Sequence, residues 1–214
     1  MPTKTWISNT ASTWSTAASW SPAQVPIAGD EVVFTGTNNG QCTITLATAN
    51  ILSLTTTGYT GNLIVNARLT VGGNVILSAS NNISGSSDIT ISTNSLITSA
   101  GAIIGCILRF STINTTIQLT DDMILSRGLI ALGTPAGSIA LRSNVPTTQR
   151  RLTLVNNGNT YQYIDYLNVT DIDSIGLSPY GGCTFWTYKG TVSNCQNWFV
   201  MATQPPGFSG VSIG

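Results

Sequence analysis

The chain has 214 residues, of which 42% are hydrophobic and only 7% are charged, and its formal net charge at pH 7 is zero. This balance removes the electrostatic basis for binding nucleic acid or an anionic membrane surface. Because the chain contains no His, it can form neither a Ser-His-Asp triad nor a mixed Cys/His metal site. The hydrophobic fraction predicts a folded chain with one sizeable core.

The first residues, from Met1 to Trp6, lack the apolar run of a secretory signal. No later stretch approaches the roughly 18 consecutive apolar residues that a membrane-spanning helix requires. If these are the natural ends of the protein, we expect it to be synthesised in the cytoplasm without a signal peptide.

Residues 1–40 are predicted to form an N-terminal cap followed by a first strand. The prolines in this segment prevent a helix, and large aromatic rings can cover the apolar end of a stacked β structure. The alternative is that the tryptophans form a platform on which a sugar ring stacks. The tryptophans in question are Trp6, Trp14 and Trp20, and the prolines are Pro22 and Pro26. The run from Gly29 to Phe34 follows them.

The order of these residues resembles the opening of many bacterial and phage surface β-helix proteins. The shared pattern is Trp, Trp-Ser, Trp, Pro and then Gly-Asp-x-Val-x-Phe, and here it spans residues 6–34. The resemblance implies a first solenoid coil after a capping loop.

Residues 41–145 are predicted to form a β-solenoid body, because an apolar-x-apolar step recurs in them every six residues. In a strand, alternate side chains point to the same face, so each step places two apolar groups inward. A six-residue interval leaves only a bend between strands, as in a coil whose inward pairs stack on those of its neighbours. An antiparallel β-sandwich or jelly roll is the alternative, since its strands show the same period of two. The pairs are Leu63/Val65, Leu69/Val71, Val75/Leu77, Ile117/Leu119, Met123/Leu125 and Leu129/Ala131.

Aromatic residues become frequent after Pro146, and residues 146–200 are predicted to form an aromatic-rich C-terminal β cap. The run from Tyr163 to Asp171 is interpreted as one strand that alternates around Ile164 and Tyr166. Two further strands are predicted from Thr184 to Tyr188 and from Asn197 to Val200.

The same segment resembles a C-terminal element of phage virion proteins, in which a strand ending in Asp leads through a Gly-rich turn to an aromatic strand. A segment with Asn and Trp then follows. The matching residues are Asp171, Gly181-Gly182, Trp186, Asn194 and Asn197-Trp198-Phe199. Proteins with this element are mostly structural or adhesive, and the resemblance implies such a role here.

Residues 201–214 are predicted to form an extended C-terminal arm, because prolines and glycines prevent the strand from continuing. We expect the arm to dock on a neighbouring subunit, and a frayed terminus is the alternative. The residues predicted to lie in subunit interfaces are Trp6, Trp14, Trp20, Phe208, Val211 and Ile213.

The four cysteines have spacings that fit no zinc site. Cys42 and Cys106 lie within apolar strand patterns and are interpreted as small buried hydrophobic residues. Cys183 and Cys195 flank a predicted hairpin, and a disulfide between them would form only outside a reducing cytosol.

Carboxylates are the one acid/base pair that the sequence offers for catalysis, and β-helix proteins that cut polysaccharides use such pairs. Adjacent residues of a strand point to opposite faces, whereas residues two positions apart point to the same face. Asp171 and Asp173 are therefore expected to face the same way. The simpler interpretation is that these acids are ordinary turn residues. The candidate pairs are Asp30/Glu31, Asp121/Asp122 and Asp171/Asp173.

These features together predict a non-enzymatic structural protein that uses no cofactor and no metal. We expect a capsid decoration or cement protein of a tailed bacteriophage, made in the host cytoplasm and located on the capsid surface of the virion. The expected partners are the major capsid protein and copies of the chain itself in a homotrimer, with no nucleic acid and no membrane. The alternatives are a tail-fibre adhesin that contacts host glycan and a polysaccharide-cleaving β-helix enzyme.

Overall fold

The computed structural model describes residues 1–78, 82–155, 161–174 and 185–201, and these residues form short strands joined by bends. Within them no helix is long and apolar enough to cross a membrane. A 3₁₀ helix covers Ala17–Ser19. The strands are β1 (Thr3–Trp6), β2 (Ser12–Thr13), β3 (Trp20–Ser21), β4 (Glu31–Val33), β5 (Cys42–Ile44), β6 (Ser53–Thr55), β7 (Asn62–Val65), β8 (Leu69–Val71), β9 (Val75–Ile76), β10 (Asn82–Ile91), β11 (Ser95–Thr98), β12 (Ile103–Phe110), β13 (Thr116–Leu119), β14 (Met123–Leu125), β15 (Gly128–Leu132), β16 (Ile139–Ser143), β17 (Arg150–Leu154), β18 (Tyr161–Asp165), β19 (Leu167–Thr170), β20 (Ile172–Asp173), β21 (Phe185–Tyr188), β22 (Thr191–Ser193) and β23 (Trp198–Met201).

The strands stack in parallel as successive coils of a β-solenoid. Val32 of β4 pairs with Leu54 of β6, and Leu54 pairs in turn with Val75 of β9. A hydrogen bond between neighbouring coils, from the Leu96 amide to Asn74, joins residues 22 positions apart, which is about the length of one coil. Among the strand ladders of the described residues, only β1 with β3 is antiparallel. The β-helix prediction is therefore confirmed, and the antiparallel sandwich alternative is wrong.

Each coil has three faces. Face 1 is a ten-stranded sheet in the order β22-β19-β16-β13-β11-β9-β6-β4-β1-β3. Each of the three predicted segments, residues 1–40, 41–145 and 146–200, contributes strands to this one sheet. The other sheet changes direction at a register shift between Ser84 and Asp88 of β10. Before the shift β10 pairs with β7, and after it with β8. This divides the sheet into face 2, with β5, β7, β14, β17 and β20, and face 3, with β8, β15, β18, β21 and β23.

The pairs predicted from the six-residue interval line the core. Three consecutive pairs fall on three different faces, so one set of three accounts for one coil. The first set, from Leu63 to Leu77, belongs to β7, β8 and β9 with the residue that follows it, and its side chains are at most 3% exposed. The second set, from Ile117 to Ala131, belongs to β13, β14 and β15 and is equally buried. Burial of each large aliphatic side chain contributes about 1.5 to 3 kcal/mol, so this repeat supplies a substantial part of the hydrophobic driving force for the fold.

Side chains of Asn, Asp and Thr connect neighbouring coils at the bends. Asn39 Oδ1 accepts a hydrogen bond from the Thr60 amide at 2.8 Å, and Asn94 Oδ1 accepts one from the Thr116 amide at 2.7 Å. These bonds satisfy backbone donors that a bend removes from the strand ladders. The high content of uncharged polar residues therefore has a structural reason.

An aromatic cluster closes the N-terminal end of the solenoid. Trp20 lies edge-on to Trp6 and to Trp14, with ring centroids 5.1 and 4.9 Å apart, and Phe34 packs against all three rings. The Trp6 indole N–H donates to the Gly40 carbonyl, and that of Trp20 donates to the Trp14 carbonyl. The cluster lies beside β1 and β3, the outermost strands of face 1, so it forms the predicted cap.

The strand predicted from Tyr163 to Asp171 is two strands on different faces. Tyr166 has a φ of +49°, and the chain turns there from β18 on face 3 to β19 on face 1. Ile164 and Leu167 are both buried although three positions separate them. The alternation therefore changes phase by one residue, as a corner between faces requires.

Candidate binding surfaces

The predicted interface tryptophans are core residues. Trp6 and Trp20 are fully buried and Trp14 is 4% exposed, all within a single chain. Their rings fill the apolar cross-section of the first coil and therefore offer no face to a sugar or to a second subunit. This corrects the expectation that they lie in an interface. The other three predicted interface residues, Phe208, Val211 and Ile213, lie outside the described residues together with the predicted arm, and their docking stays a prediction.

In two of the candidate carboxylate pairs, three of the four acids accept hydrogen bonds from backbone amides. Asp121 accepts hydrogen bonds from the amides of Ser99 and Ala100, one coil away. Asp122 accepts one from the Arg151 amide at 2.8 Å. In the first pair, Asp30 accepts a hydrogen bond from the Ile27 amide at 2.9 Å, and Glu31 accepts one from the Thr3 hydroxyl at 3.1 Å.

The third pair, Asp171 and Asp173, is buried in the same kind of contact. Asp171 accepts hydrogen bonds from the Thr147 amide and from the side-chain amide of Asn194. Asp173 accepts one from the Gln196 amide at 2.8 Å. Asp30, Asp121, Asp122 and Asp171 lie outside the strands and match the simpler interpretation as turn residues, whereas Glu31 lies in β4 and Asp173 in β20. In the described part of the chain, no group of three or more His, Cys, Asp or Glu residues could hold a metal ion.

The cysteines of the described residues are free thiols. Cys42 and Cys106 are fully buried, as predicted, and burial raises the pKa of Cys106 to about 12. Cys195 is half-buried, and its sulfur accepts a hydrogen bond from the Ile172 amide at 3.4 Å. Cys183 lies outside the described residues, as does Gly181-Gly182 of the C-terminal resemblance.

An ion network that the sequence did not predict lies on face 3. Asp88 Oδ2 is 3.0 Å from Nε of Arg109 and 3.1 Å from Nε of Arg68, and it accepts a 2.6 Å hydrogen bond from the Thr90 hydroxyl. Asp88 and Arg109 are buried, while Arg68 is half-exposed. Burial opposes ionisation of Asp88, but the Thr90 hydroxyl and the two guanidinium groups outweigh it and lower the pKa of this carboxyl. The coil period of about 22 residues is the one signal that could have indicated the network.

A shallow groove lies on the outer side of face 1. It has a volume of about 270 Å³, and it is lined by Asn74, Asn94, Ser95, Leu96, Thr116, Gln118 and Arg142. Leu96, Gln118 and Arg142 are register partners on β11, β13 and β16, and Asn74 precedes β9 at the same level. Parallel strands lie about 4.8 Å apart, so this row of four side chains runs about 14 Å along the solenoid axis.

Hydrogen bonds orient the amide groups of this groove. Asn74 Oδ1 accepts from the Leu96 amide at 3.0 Å, and Asn94 Oδ1 accepts from the Thr116 amide at 2.7 Å. Each bond leaves the side-chain NH₂ group as the part of the amide that a ligand can meet. None of the lining residues is acidic, and among the described residues Arg142 forms no ion pair.

A pair of tyrosines occupies the corner between faces 3 and 1. The Tyr166 and Tyr188 ring centroids are 6.2 Å apart with an interplanar angle of 74°, and Lys189 Nζ lies 5.0 Å from the centroid of the Tyr188 ring. Both rings are half-buried and Lys189 is exposed. This corner therefore presents aromatic surface beside a cation.

The C-terminal end of the solenoid differs from the N-terminal end. β22 is the last strand of face 1 and β23 the last of face 3, and no described strand pairs with their outer edges. Phe185 stacks on Trp198 with centroids 4.7 Å apart and fills the core at this end. Beyond them, Phe199 and Val200 of β23 are 58% and 52% exposed. The last coil thus combines exposed apolar side chains with strand edges that no described strand covers, while the sheets end on the N-terminal side with the two-residue strands β2 and β3.

Comparisons of the chain with models of known protein families, with curated proteins and with solved structures found no match. The fold assignment therefore rests on the strand ladders and the buried core.

Proposed function

We propose that the protein is a non-enzymatic structural protein of a phage virion, a capsid decoration or cement protein that binds the outer surface of the head. Two sequence features support this function, because the N-terminal pattern resembles phage surface β-helix proteins and the C-terminal pattern resembles phage virion proteins. The difference between the two ends of the solenoid is the structural observation that carries the proposal.

At the N-terminal end, β1 pairs with the antiparallel strand β3, and the cluster of Trp6, Trp14 and Trp20 covers the core. At the C-terminal end, β23 presents Phe199, Val200 and an edge with which no strand of the described residues pairs. Exposed strand edges with apolar side chains are templates for pairing with another chain, and proteins that remain monomeric usually block them. The C-terminal end is therefore the attachment end in this proposal, with strand addition and apolar contact as the mechanism.

The partners in this proposal are the major capsid protein and two further copies of the chain in a homotrimer. Attachment through one end leaves the three faces of the solenoid free at the surface of the virion. No chemical step is required, and five of the six candidate carboxylates accept hydrogen bonds from backbone amides.

The proposal is tested by co-sedimentation of the purified protein with phage heads that lack it, scored by copies bound per head. We expect saturable binding at hundreds of copies. A double variant, Phe199→Ser with Val200→Ser, should bind at least tenfold more weakly. The matched control, Ile27→Ser with Leu46→Ser, removes two apolar side chains that are 63% and 70% exposed elsewhere and should bind like the parent.

Failure of the parent to bind heads would contradict the cement function. Equal binding by the Phe199/Val200 variant and the parent would contradict the assignment of the attachment end. Reduced binding by the control variant to the same extent would show that loss of any exposed apolar surface has this effect, and would contradict the assignment as well.

A second candidate function, a tail-fibre adhesin that contacts host glycan, is favoured by the Tyr166 and Tyr188 corner. Half-exposed aromatic rings beside Lys189 form an amphipathic surface of the kind that contacts the faces and hydroxyls of sugar rings. Binding to tails or host cells at only a few copies per particle, and its loss in Tyr188→Ala, would support this function against the cement function.

A further inference from the structure

The groove on face 1 offers hydrogen-bond donors in excess of acceptors. The side-chain oxygens of Asn74 and Asn94 are engaged by amides of the next coil, so these residues present NH₂ groups. Arg142 adds guanidinium donors and carries no acceptor. A ligand that fits this groove must therefore be rich in acceptors.

The charge of the groove specifies the ligand further. Arg142 is exposed, and no acidic residue lines the groove. The ion pairs among the described residues involve Arg68, Arg109 and Arg151. None of these ion pairs neutralises the charge of Arg142. A planar guanidinium binds a carboxylate through two parallel hydrogen bonds. The ligand is therefore expected to carry a carboxylate.

The shape of the groove favours an extended chain of small polar units over a compact ion. The row Asn74, Leu96, Gln118 and Arg142 extends about 14 Å along the axis, with one side chain on each coil. Donors lie at both ends of the row, and Leu96 between them is 37% exposed. Leu96 thus offers an apolar contact for the C–H face of a ring. A single carboxylate or phosphate would use only the Arg142 end.

We propose that this groove binds a short acidic carbohydrate, with Arg142 on a sugar carboxylate, Asn74, Asn94 and Gln118 on hydroxyl groups, and Leu96 against the ring carbons. An acidic peptide would also meet Arg142, but extended peptides join sheets at strand edges, and this part of face 1 consists of β9, β11, β13 and β16, which are paired on both sides. The site does not depend on attachment to a capsid.

Binding is tested by titration calorimetry of the full chain with an oligogalacturonate and with an oligomer of sialic acid, which are two sources of the same carboxylate. A neutral maltooligosaccharide of equal length and an oligoglutamate peptide are the comparison ligands. We expect at least one acidic carbohydrate to bind at least tenfold more tightly than the neutral one. Its affinity should also fall as the salt concentration rises.

Variants then locate the site. Arg142→Gln should weaken binding of the acidic carbohydrate at least tenfold and reduce its salt dependence, since an exposed arginine can be replaced without loss of the fold. Gln118→Ala should weaken binding of the same ligand with its salt dependence unchanged. The matched control is Arg151→Gln, which removes a half-exposed arginine on face 2 and should leave the affinity at the parent value.

Three outcomes would overturn the proposal. Neither acidic carbohydrate binds, or Arg142→Gln binds as tightly as the parent, or oligoglutamate binds as tightly as the acidic carbohydrate with the same dependence on Arg142. The last outcome would identify the groove as a peptide site. Binding to phage heads can be measured on the same variants, so failure of this proposal and failure of the cement function are distinguishable.

Discussion

Replacing Asp88 with Asn is expected to destabilise the protein at neutral pH by about 3 kcal/mol, because it leaves a buried arginine without its counter-charge. The side chains of Asp88 and Arg109 are 8% and 10% exposed, and their charged atoms are 3.0 Å apart. Arg68, at 3.1 Å, is 48% exposed and screened by solvent, so its own contribution is expected to be below about 1 kcal/mol. Most of the loss therefore arises from Arg109.

The stability that Asp88 contributes depends on pH in a defined direction. Its pKa is lower in the folded protein than its ordinary value, since Thr90, Arg109 and Arg68 outweigh the effect of burial. The contribution is thus fully present above the unfolded-state pKa of about 4 and is lost as the pH falls through the folded-state pKa. Asp165 acts in the opposite direction, because burial raises its pKa and its protonation favours the folded state as the pH falls.

Urea unfolding followed by tryptophan fluorescence measures both effects, at pH 7 and in steps between about pH 2 and 5. The parent and Asp88→Asn share Asp165, so the difference between their free energies of unfolding isolates Asp88. That difference should be largest at neutral pH and should shrink in acid. Arg68→Gln is the control and should lose far less stability than Asp88→Asn. The reasoning is refuted if Asp88→Asn is as stable as the parent at pH 7, or if the difference does not change with pH.

Three further predictions concern packing and reactivity. Gly85 has a φ of +137°, and a Cβ there would overlap the Val65 carbonyl, whereas Gly101 has a φ of +84° and open space around the same position. Gly85→Ala should therefore lower the free energy of unfolding more than Gly101→Ala does. For Gly101→Ala only backbone strain of about 1 kcal/mol is expected. Equal losses in the two variants would show that backbone strain, and not the overlap with Val65, sets the cost at Gly85. Trp20→Ala should cost about 3 to 5 kcal/mol in urea unfolding, because it empties the centre of the N-terminal cluster, and a loss below about 1 kcal/mol would show that the cap does not support the first coil. Iodoacetamide should label Cys195 in the native protein and fully buried Cys106 only after unfolding, which peptide mass spectrometry can check; early labelling of Cys106 would contradict its burial.

The solenoid could be predicted because its signal is local and repeated. Each apolar-x-apolar step, such as Leu63 with Val65, reports that one strand has an inward face, and the six-residue interval leaves room only for a bend. Burial of these pairs is favourable in a solenoid and in an antiparallel sandwich alike, and the parallel strand ladders decide for the solenoid. The aromatic cap was predictable for the same reason, since Trp6, Trp14 and Trp20 had to be buried somewhere near the first coil.

Local patterns failed where the chain changes face. The run from Tyr163 to Asp171 alternates on both sides of Tyr166, and a corner differs from a continuous strand by a phase shift of one residue. The assignment of the tryptophans to an interface was wrong for another reason. Composition indicates that large aromatic rings are buried, but it does not indicate whether they are buried within one chain or between two subunits.

The sequence by itself determined the all-β class and the apolar pairs of the six-residue repeat that face inward, and it indicated the aromatic cap at the N-terminal end, because these follow from the spacing of neighbours along the chain. Only the tertiary structure decided which residues of different coils meet. Arg68, Asp88 and Arg109 form one ion network, and Asn74, Leu96, Gln118 and Arg142 form one row, because the lengths of the bends set the register between coils. Bend lengths vary from coil to coil while strand periodicity stays the same, so the candidate groove could not be found from periodicity.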